Sequence, residues 1–230
     1  MAQEIYHVKL GMNSCYLVRG RHVVMIDGGV PNKAKRFRRE LARLNILPEE
    51  IRLIVLTHSH FDHSGSASEI RDLTGAKIAI HESESKYLEN DEMIIPKGVN
   101  AWGKLSKPLL FPILRRIHFP GFKPDILLTE KPFPLSEYGI EGNIIHTPGH
   151  TFGSVSVILD SGDAFVGCMA HNGLPFRLRP GLPIYAQDIN AIKKNWKLLI
   201  EKGVKMIYPG HGNPFHADVM IKHLARDQRN

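Results

Sequence analysis

The chain has 230 residues, 43% of them hydrophobic and 23% charged, with a formal net charge of +7; this is ordinary globular composition, long enough for one large domain or two small ones. No run approaches the roughly 20 apolar residues of a membrane span, and residues 1–10 carry acidic and polar side chains where a secretory leader needs an apolar stretch. Two cysteines, Cys15 and Cys168, make no disulfide framework and suit a reducing compartment, so a cytoplasmic protein without a membrane partner is expected.

Taken in chain order, short apolar runs at 5–9, 14–18 and 22–26, separated by turns at Gly11 and Gly20, predict three strands. Residues 33–44 have helical patterning and are stopped by Asn45 and Pro48. A buried strand at 51–56, a helix near 66–74 and a strand at 77–80 complete the first half. Residues 90–135 then depart from the pattern, rich in proline and aromatic residues around Leu109-Leu110-Phe111-Pro112-Ile113-Leu114. Insertions of this kind form lids over a site or only pad the surface, and a lid of this composition implies a substrate with an apolar part. The second half reads as strands at 140–146, 154–159 and 164–169, an amphipathic helix at 188–202 stopped by Gly203, a strand at 205–208 and a final helix at 214–225. Two sheets with helices outside cover this many apolar strands, in a single domain over 1–230. The excess positive charge lies largely at Lys33, Lys35, Arg36, Arg38 and Arg39 and at Lys193-Lys194. Both are segments of helical patterning, where basic residues form a solvated face, so a small-molecule substrate is expected rather than nucleic acid.

The chemistry is concentrated at His58-Ser59-His60-Phe61-Asp62-His63, directly after the 51–56 run. In extended chain alternate side chains share a side, so His58 and His60 can grip one ion between them. As the chain turns into the next helix, Asp62 and His63 can face a second ion. Two later segments, Ile144-Ile145-His146-Thr147-Pro148-Gly149-His150 and Met206-Ile207-Tyr208-Pro209-Gly210-His211, share a form in which an apolar strand ends in Pro-Gly and then His. The Pro-Gly pair predicts a turn that carries His150 and His211 on the rim. Cys168, at the end of the 164–169 strand, is either a small buried apolar side chain or a further ligand.

The ordered set His58, His60, Asp62, His63, His150, Cys168 and His211, with the Ile26-Asp27-Gly28-Gly29 turn, closely resembles the metallo-β-lactamase superfamily over essentially the whole chain. The resemblance implies a four-layer αβ/βα sandwich with metals in a cleft along the top of two facing sheets, and usually a hydrolase. It makes His58, His60 and His150 ligands of one metal, and Asp62, His63 and His211 ligands of the other. In most members of this type an aspartate bridging the two ions stands where this chain has Cys168. The metallo-β-lactamases with a cysteine ligand place a thiolate at this point, but they generally lack a counterpart of His63 and often carry lysine three residues on, where this chain has His171. A thiolate favours zinc over manganese or magnesium, so two zinc ions are expected, with iron or manganese less favoured.

The function implied is hydrolysis of a small acyl compound (lactam, lactone, ester or thioester) by metal-bound hydroxide, with weak β-lactamase activity included because of Cys168. Asp62 is the expected catalytic residue, orienting the nucleophile and relaying its proton. Asp27 either steadies a ligand histidine or is only a turn residue before Gly-Gly. His171 and Asn172 are candidates to touch substrate, while His146 and Tyr208 are read as structural. The alternatives are phosphodiester or RNA processing, for which the positive charge is the only encouragement, and a metal-binding protein with little turnover. Oxygen-reducing relatives bind two irons but carry a flavodoxin domain that this length excludes.

Overall fold

The computed structural model describes residues 3–114, 116–173 and 177–227. The first sheet follows from the predicted strands: β1 (Glu4–Lys9), β2 (Ser14–Arg19), β3 (Val23–Ile26), β4 (Ile51–Val55), β5 (Lys77–His81) and, later in the chain, β7 (Ile126–Leu128), adjacent in that order. β1 to β3 are antiparallel neighbours, and β3, β4, β5 and β7 run parallel. The parallel connections are made by α1 (Ala34–Leu44), by α2 (Phe61–Ser64) with α3 (Ala67–Thr74), and by α4 (Glu82–Glu89) with the segment after it. That segment holds β6 (Lys97–Gly98) and α5 (Ala101–Leu114).

The second sheet has the order β14 (Phe215–His216), β13 (Met206–Gly212), β11 (Asp163–Asn172), β10 (Val155–Leu159), β9 (Gly142–His146), β8 (Phe133–Pro134). A two-residue strand, β12 (Tyr185–Ala186), pairs with β6 instead. Helices α6 (Ile189–Glu201) and α7 (Asp218–Asp227) complete the chain.

Alternation along the strands produces three apolar layers. Tyr16, Val24, Ile26, Leu53 and Val55 from the first sheet meet Ile144, Val155, Val157, Leu159 and Phe165 from the second. The other face of the first sheet, through Leu17, Met25 and Ile54, packs on Phe37, Leu41 and Ile70 of the helices. The outer face of the second sheet packs on Ile192, Trp196 and Met220 of α6 and α7. These layers make the expected four-layer αβ/βα sandwich. Among the described residues no helix is long and apolar enough to cross a membrane.

Several sequence expectations need correction. Pro209-Gly210 is not a turn: β13 continues through both to Gly212, beside an irregular stretch of β11. Glycine is required there for a different reason, since a Cβ at Gly210 would lie 2.5 Å from Cε1 of His63. At Pro148-Gly149 the turn does form, with Gly149 at φ 144°, a backbone region that favours glycine. The start of the predicted 214–225 helix is strand β14, and the helix begins only at Asp218. The 90–135 segment is also more regular than its composition suggests. It contributes β7 to the first sheet and holds the 14-residue α5 with Pro108 and Pro112 inside it. Helical periodicity was masked there because proline removes a donor from the helix ladder and reads as a break. Residue 115, and residues 174–176 of the 171–186 loop, lie outside the described residues.

Candidate metal centre

All seven sequence-predicted ligands converge at one end of the sandwich. The strand-to-helix turn after β4 carries His58, His60, Asp62 and His63, the loop after β9 carries His150, β11 carries Cys168, and β13 carries His211. Two groups of facing atoms result. Nδ1 of His60 lies 3.0 Å from Nε2 of His58 and 3.2 Å from Nε2 of His150. Beside them, Nε2 of His211 is 3.2 Å from an Asp62 carboxylate oxygen and 3.4 Å from Nε2 of His63. Sγ of Cys168 is 3.3 Å from the same His63 nitrogen. Its sulfur falls within 4.8 Å of donor atoms of His58 and His150 on one side and of His63 and His211 on the other.

What suits these atoms to a cation is the fate of each histidine's other nitrogen. His58 donates from Nδ1 to the Thr57 hydroxyl oxygen (3.0 Å), whose own proton is given to Asp27 (2.9 Å). Nδ1 of His63 donates to the Asp27 carboxylate at 2.7 Å. Main-chain carbonyls take the rest: Ile94 from Nε2 of His60, Tyr185 from Nδ1 of His150 at 3.0 Å, and Met12 from Nδ1 of His211 at 3.3 Å. With every outer nitrogen acting as donor, five inner nitrogens present lone pairs to one another. Such an arrangement is repulsive unless a cation or proton lies between them, and it is how proteins fix the tautomer of metal-binding imidazoles.

Asp27 therefore does more than end a strand. It is buried, accepts from the Thr57 amide at 2.8 Å as well as from Thr57 and His63 side chains, and sits at φ 62°. A non-glycine residue in that region costs on the order of 1 kcal/mol or more and marks a position fixed by its surroundings.

The two groups differ in charge. Burial, with imidazole neighbours, drives His58 well below its ordinary pKa, and burial beside His150 lowers His60 to about 4. Burial also opposes ionisation in the second group, but there the ionic neighbours prevail. The imidazoles of His63, His211 and His150 hold the Cys168 thiol well below its usual range, and His63 and His211 hold Asp62 below the carboxylate range. In return Cys168, Asp27 and Asp62 raise His63 well above neutrality, and Cys168 with Asp62 raises His211 to about 10. At pH 7 the metal-free second group is thus an imidazolium, thiolate and carboxylate cluster, with protons where an ion would sit.

The sign of the linkage follows. A cation entering the second group displaces the protons of His63 and His211, about two per ion, and binds more weakly as pH falls. In the first group burial keeps His58 and His60 unprotonated at pH 7, so a cation there displaces no proton from either. Titration calorimetry of the metal-free protein in buffers of differing ionisation enthalpy should show metal binding coupled to proton release from His63 and His211; binding with no proton release would contradict this charge assignment.

Above the donor groups is an open cleft whose walls are largely apolar: Met12 and Phe61, then Met93, Ile95, Pro96, Leu110 and Leu114 from the 90–114 segment, with Lys107 of the same segment and Tyr185 and His171 completing the lining. Asp62, Cys168 and His211 reach its floor. Of the two loop candidates for substrate contact, His171 lines the cleft and lies edge-on to His211 at 5.2 Å, while Asn172 instead donates to the Asn213 carbonyl. His146, expected to be structural, stacks on His81 with ring centroids 4.2 Å apart. Those two and Glu130 form a further close trio. However, Nδ1 of His81 accepts the α4 capping bond from the Ser83 amide, so its other nitrogen carries the proton and offers no lone pair.

Sequence reasoning missed Glu84. Buried at the start of α4, it accepts from the Ser59 amide and hydroxyl with one oxygen and from the Gly153 amide with the other. It thereby ties the His58–His63 turn to the loop that carries His150. Nothing local marks it, because its partners are 25 and 69 residues away.

Comparison with known proteins agrees with this geometry. Residues 8–211 match the family model of the metallo-beta-lactamase superfamily. A probable metallo-hydrolase of Methanocaldococcus jannaschii is 31% identical over 205 residues, covering 87% of each chain. Among solved structures, the B3 metallo-beta-lactamase BLEG-1 superposes with a TM-score of 0.69 at 22% identity, covering 96% of this chain and 97% of its own. A protein solved in a di-iron-bound form superposes with a TM-score of 0.66 at 19% identity, covering 94% and 97%. Ordered donor motif, sandwich and family match together make this chain a member of the metallo-β-lactamase superfamily, related to metallo-hydrolases.

Proposed function

We propose that the chain is a zinc-dependent hydrolase that opens a lactam, lactone, ester or thioester bond in an acyl substrate with an apolar body. The observation that carries this reading is the junction of the two donor groups with the apolar cleft, whose lining includes Asp62 of the second group and Cys168, which faces both. His58, His60 and His150 would hold one ion, and Asp62, His63 and His211 the other. Cys168 faces both groups, and its thiolate character selects a soft ion, hence zinc. Zinc bound there would supply hydroxide near neutral pH and an electrophile for the substrate carbonyl.

The protein's own residues do the remainder. Asp62 is ionised, held 3.2 Å from Nε2 of His211 and open to the cleft, placed to accept the proton of an attacking water and pass it to the departing oxygen, sulfur or nitrogen. Met93, Ile95, Leu110 and Leu114 cover the acyl body and displace water from the reacting carbonyl.

The test is metal analysis combined with a substrate panel: a medium-chain acyl thioester, an acyl lactone, a chromogenic cephalosporin and bis(p-nitrophenyl) phosphate. Acyl hydrolysis lost to chelator and restored by zinc, with two ions per chain, is the expected result. Cleavage of the phosphodiester alone, or iron with oxidase activity, would overturn it. Within the same assay Cys168→Asp should retain or raise hydrolysis while shifting metal preference away from zinc; unchanged metal content and rate would show that the thiolate is not a ligand.

A further inference from the structure

α5 has two faces of different kinds. Gly103, Ser106, Leu110 and Leu114 recur at helical spacing and face the body of the protein or the cleft: the Ser106 hydroxyl pairs with that of Tyr185 at 2.6 Å, and both leucines line the cleft. One residue earlier in each turn, about 100° round the helix, stand Trp102, Leu105, Leu109 and Ile113. These are 52, 64, 71 and 61% exposed. Four large apolar side chains on a single exposed helical stripe are unusual on a soluble surface and mark a contact face.

The charge around the stripe says what kind of contact. From Met93 to Pro124 the sequence has no aspartate or glutamate, but it has Lys97, Lys104, Lys107, Arg115, Arg116 and Lys123. A denser basic run at 33–39 lies on α1, whereas this one coincides with the apolar stripe. Apolar side chains with a tryptophan, with Lys104 and Lys107 on the same helix and Asp91 and Glu92 confined to the end of α5 beside Leu114, match the boundary of an anionic bilayer, where the rings and leucines enter the acyl region and the cations meet phosphate. The stripe adjoins Leu110 and Leu114, so its apolar surface runs into the cleft mouth.

We propose that α5 is an interfacial docking helix that seats the enzyme on an anionic lipid surface and opens the cleft toward acyl chains held there. Adsorption of one helix face needs no spanning segment, so this departs from the sequence expectation of no membrane partner. The proposal rests on the acyl-hydrolase reading only for what docking serves, since adsorption is measured without turnover.

The experiment is cosedimentation of the full-length protein with vesicles of equal parts phosphatidylglycerol and phosphatidylcholine, and with phosphatidylcholine vesicles alone. Binding to the anionic vesicles should be accompanied by a blue shift in emission. The shift reports Trp102, because Trp196 is fully buried, and it should vanish in Trp102→Phe. Leu105→Asn with Leu109→Asn should weaken partition about 100-fold, roughly tenfold for each buried leucine, and Lys104→Gln about fivefold. All four positions are exposed, so folding is retained and circular dichroism verifies it. The proposal falls if anionic vesicles do not bind, if the double variant binds as well as the parent, or if both vesicle types bind equally. It falls too if light scattering shows a dimer that the double variant dissolves, since a second copy would then cover the stripe. Loss of vesicle binding with intact acyl hydrolysis would remove the docking alone; binding without hydrolysis would remove the acyl reading alone.

Discussion

Asp62→Ala should lower acyl hydrolysis about 1,000-fold, within the range by which a positioned acid or base group contributes, and should reduce the metal content from two ions to one. The expectation rests on the double placement of this carboxylate. One oxygen lies 3.2 Å from Nε2 of His211 and 3.8 Å from Nε2 of His63, while the residue also faces the cleft. No other carboxylate reaches that floor among the described residues lining the cleft. Its removal leaves Cys168 as the anion facing the inner nitrogens of His63 and His211, Asp27 lying on the outer side of His63, with one fewer anion to offset a divalent charge. On the proposed reading the first group, built from His58, His60 and His150, is untouched and would keep its ion. Metal analysis by mass spectrometry and steady-state hydrolysis decide the matter; two ions retained at the parent rate would show that Asp62 neither ligates nor catalyses.

Asp27→Ala should be the most destabilising single change near the site, by about 3–5 kcal/mol, with loss of the second ion. Asp27 accepts from the Thr57 amide, the Thr57 hydroxyl and Nδ1 of His63. All three donors are buried, and each left without a partner costs about 1–3 kcal/mol. Some of that cost is recovered, because alanine removes a buried carboxylate. Asp27→Asn is the informative companion, since it keeps the shape and one acceptor oxygen but offers a weaker partner to His63. Denaturant midpoints of the metal-free proteins measure the effect apart from metal linkage. If Asp27→Ala unfolds at the parent's midpoint, the turn at φ 62° is not held by these bonds.

The parts of this molecule that were legible in its sequence are those whose signal is local. His58 to His63 can be read because four ligands lie within six residues at the end of an apolar run, and the αβ/βα layering because strand and helix periodicities alternate cleanly in both halves. Asp27 was half legible: a turn aspartate before Gly-Gly has two meanings, and only the 2.7 Å contact with His63 decides between them. Glu84 was invisible, because a buried acceptor for two distant loops looks in sequence like one more acid in an exposed helix start. α5 was hidden by its prolines. The course of β13 through Pro209-Gly210 was hidden because a dipeptide that usually turns is here kept extended, with the His63 ring filling the space a Cβ would need.

The anchoring of the five imidazoles divides in a way that bears on how this site diversifies. His58 and His63 are fixed by side chains, Thr57 and Asp27, sunk between the layers where substitution is penalised. His60, His150 and His211 are fixed by the peptide carbonyls of Ile94, Tyr185 and Met12, on the segments that wall the cleft. A peptide carbonyl survives almost any change of side chain. Mutations at these wall positions can therefore alter what the cleft accepts while leaving the ligand geometry in place, so that selection for a new substrate need not begin by damaging the metal centre.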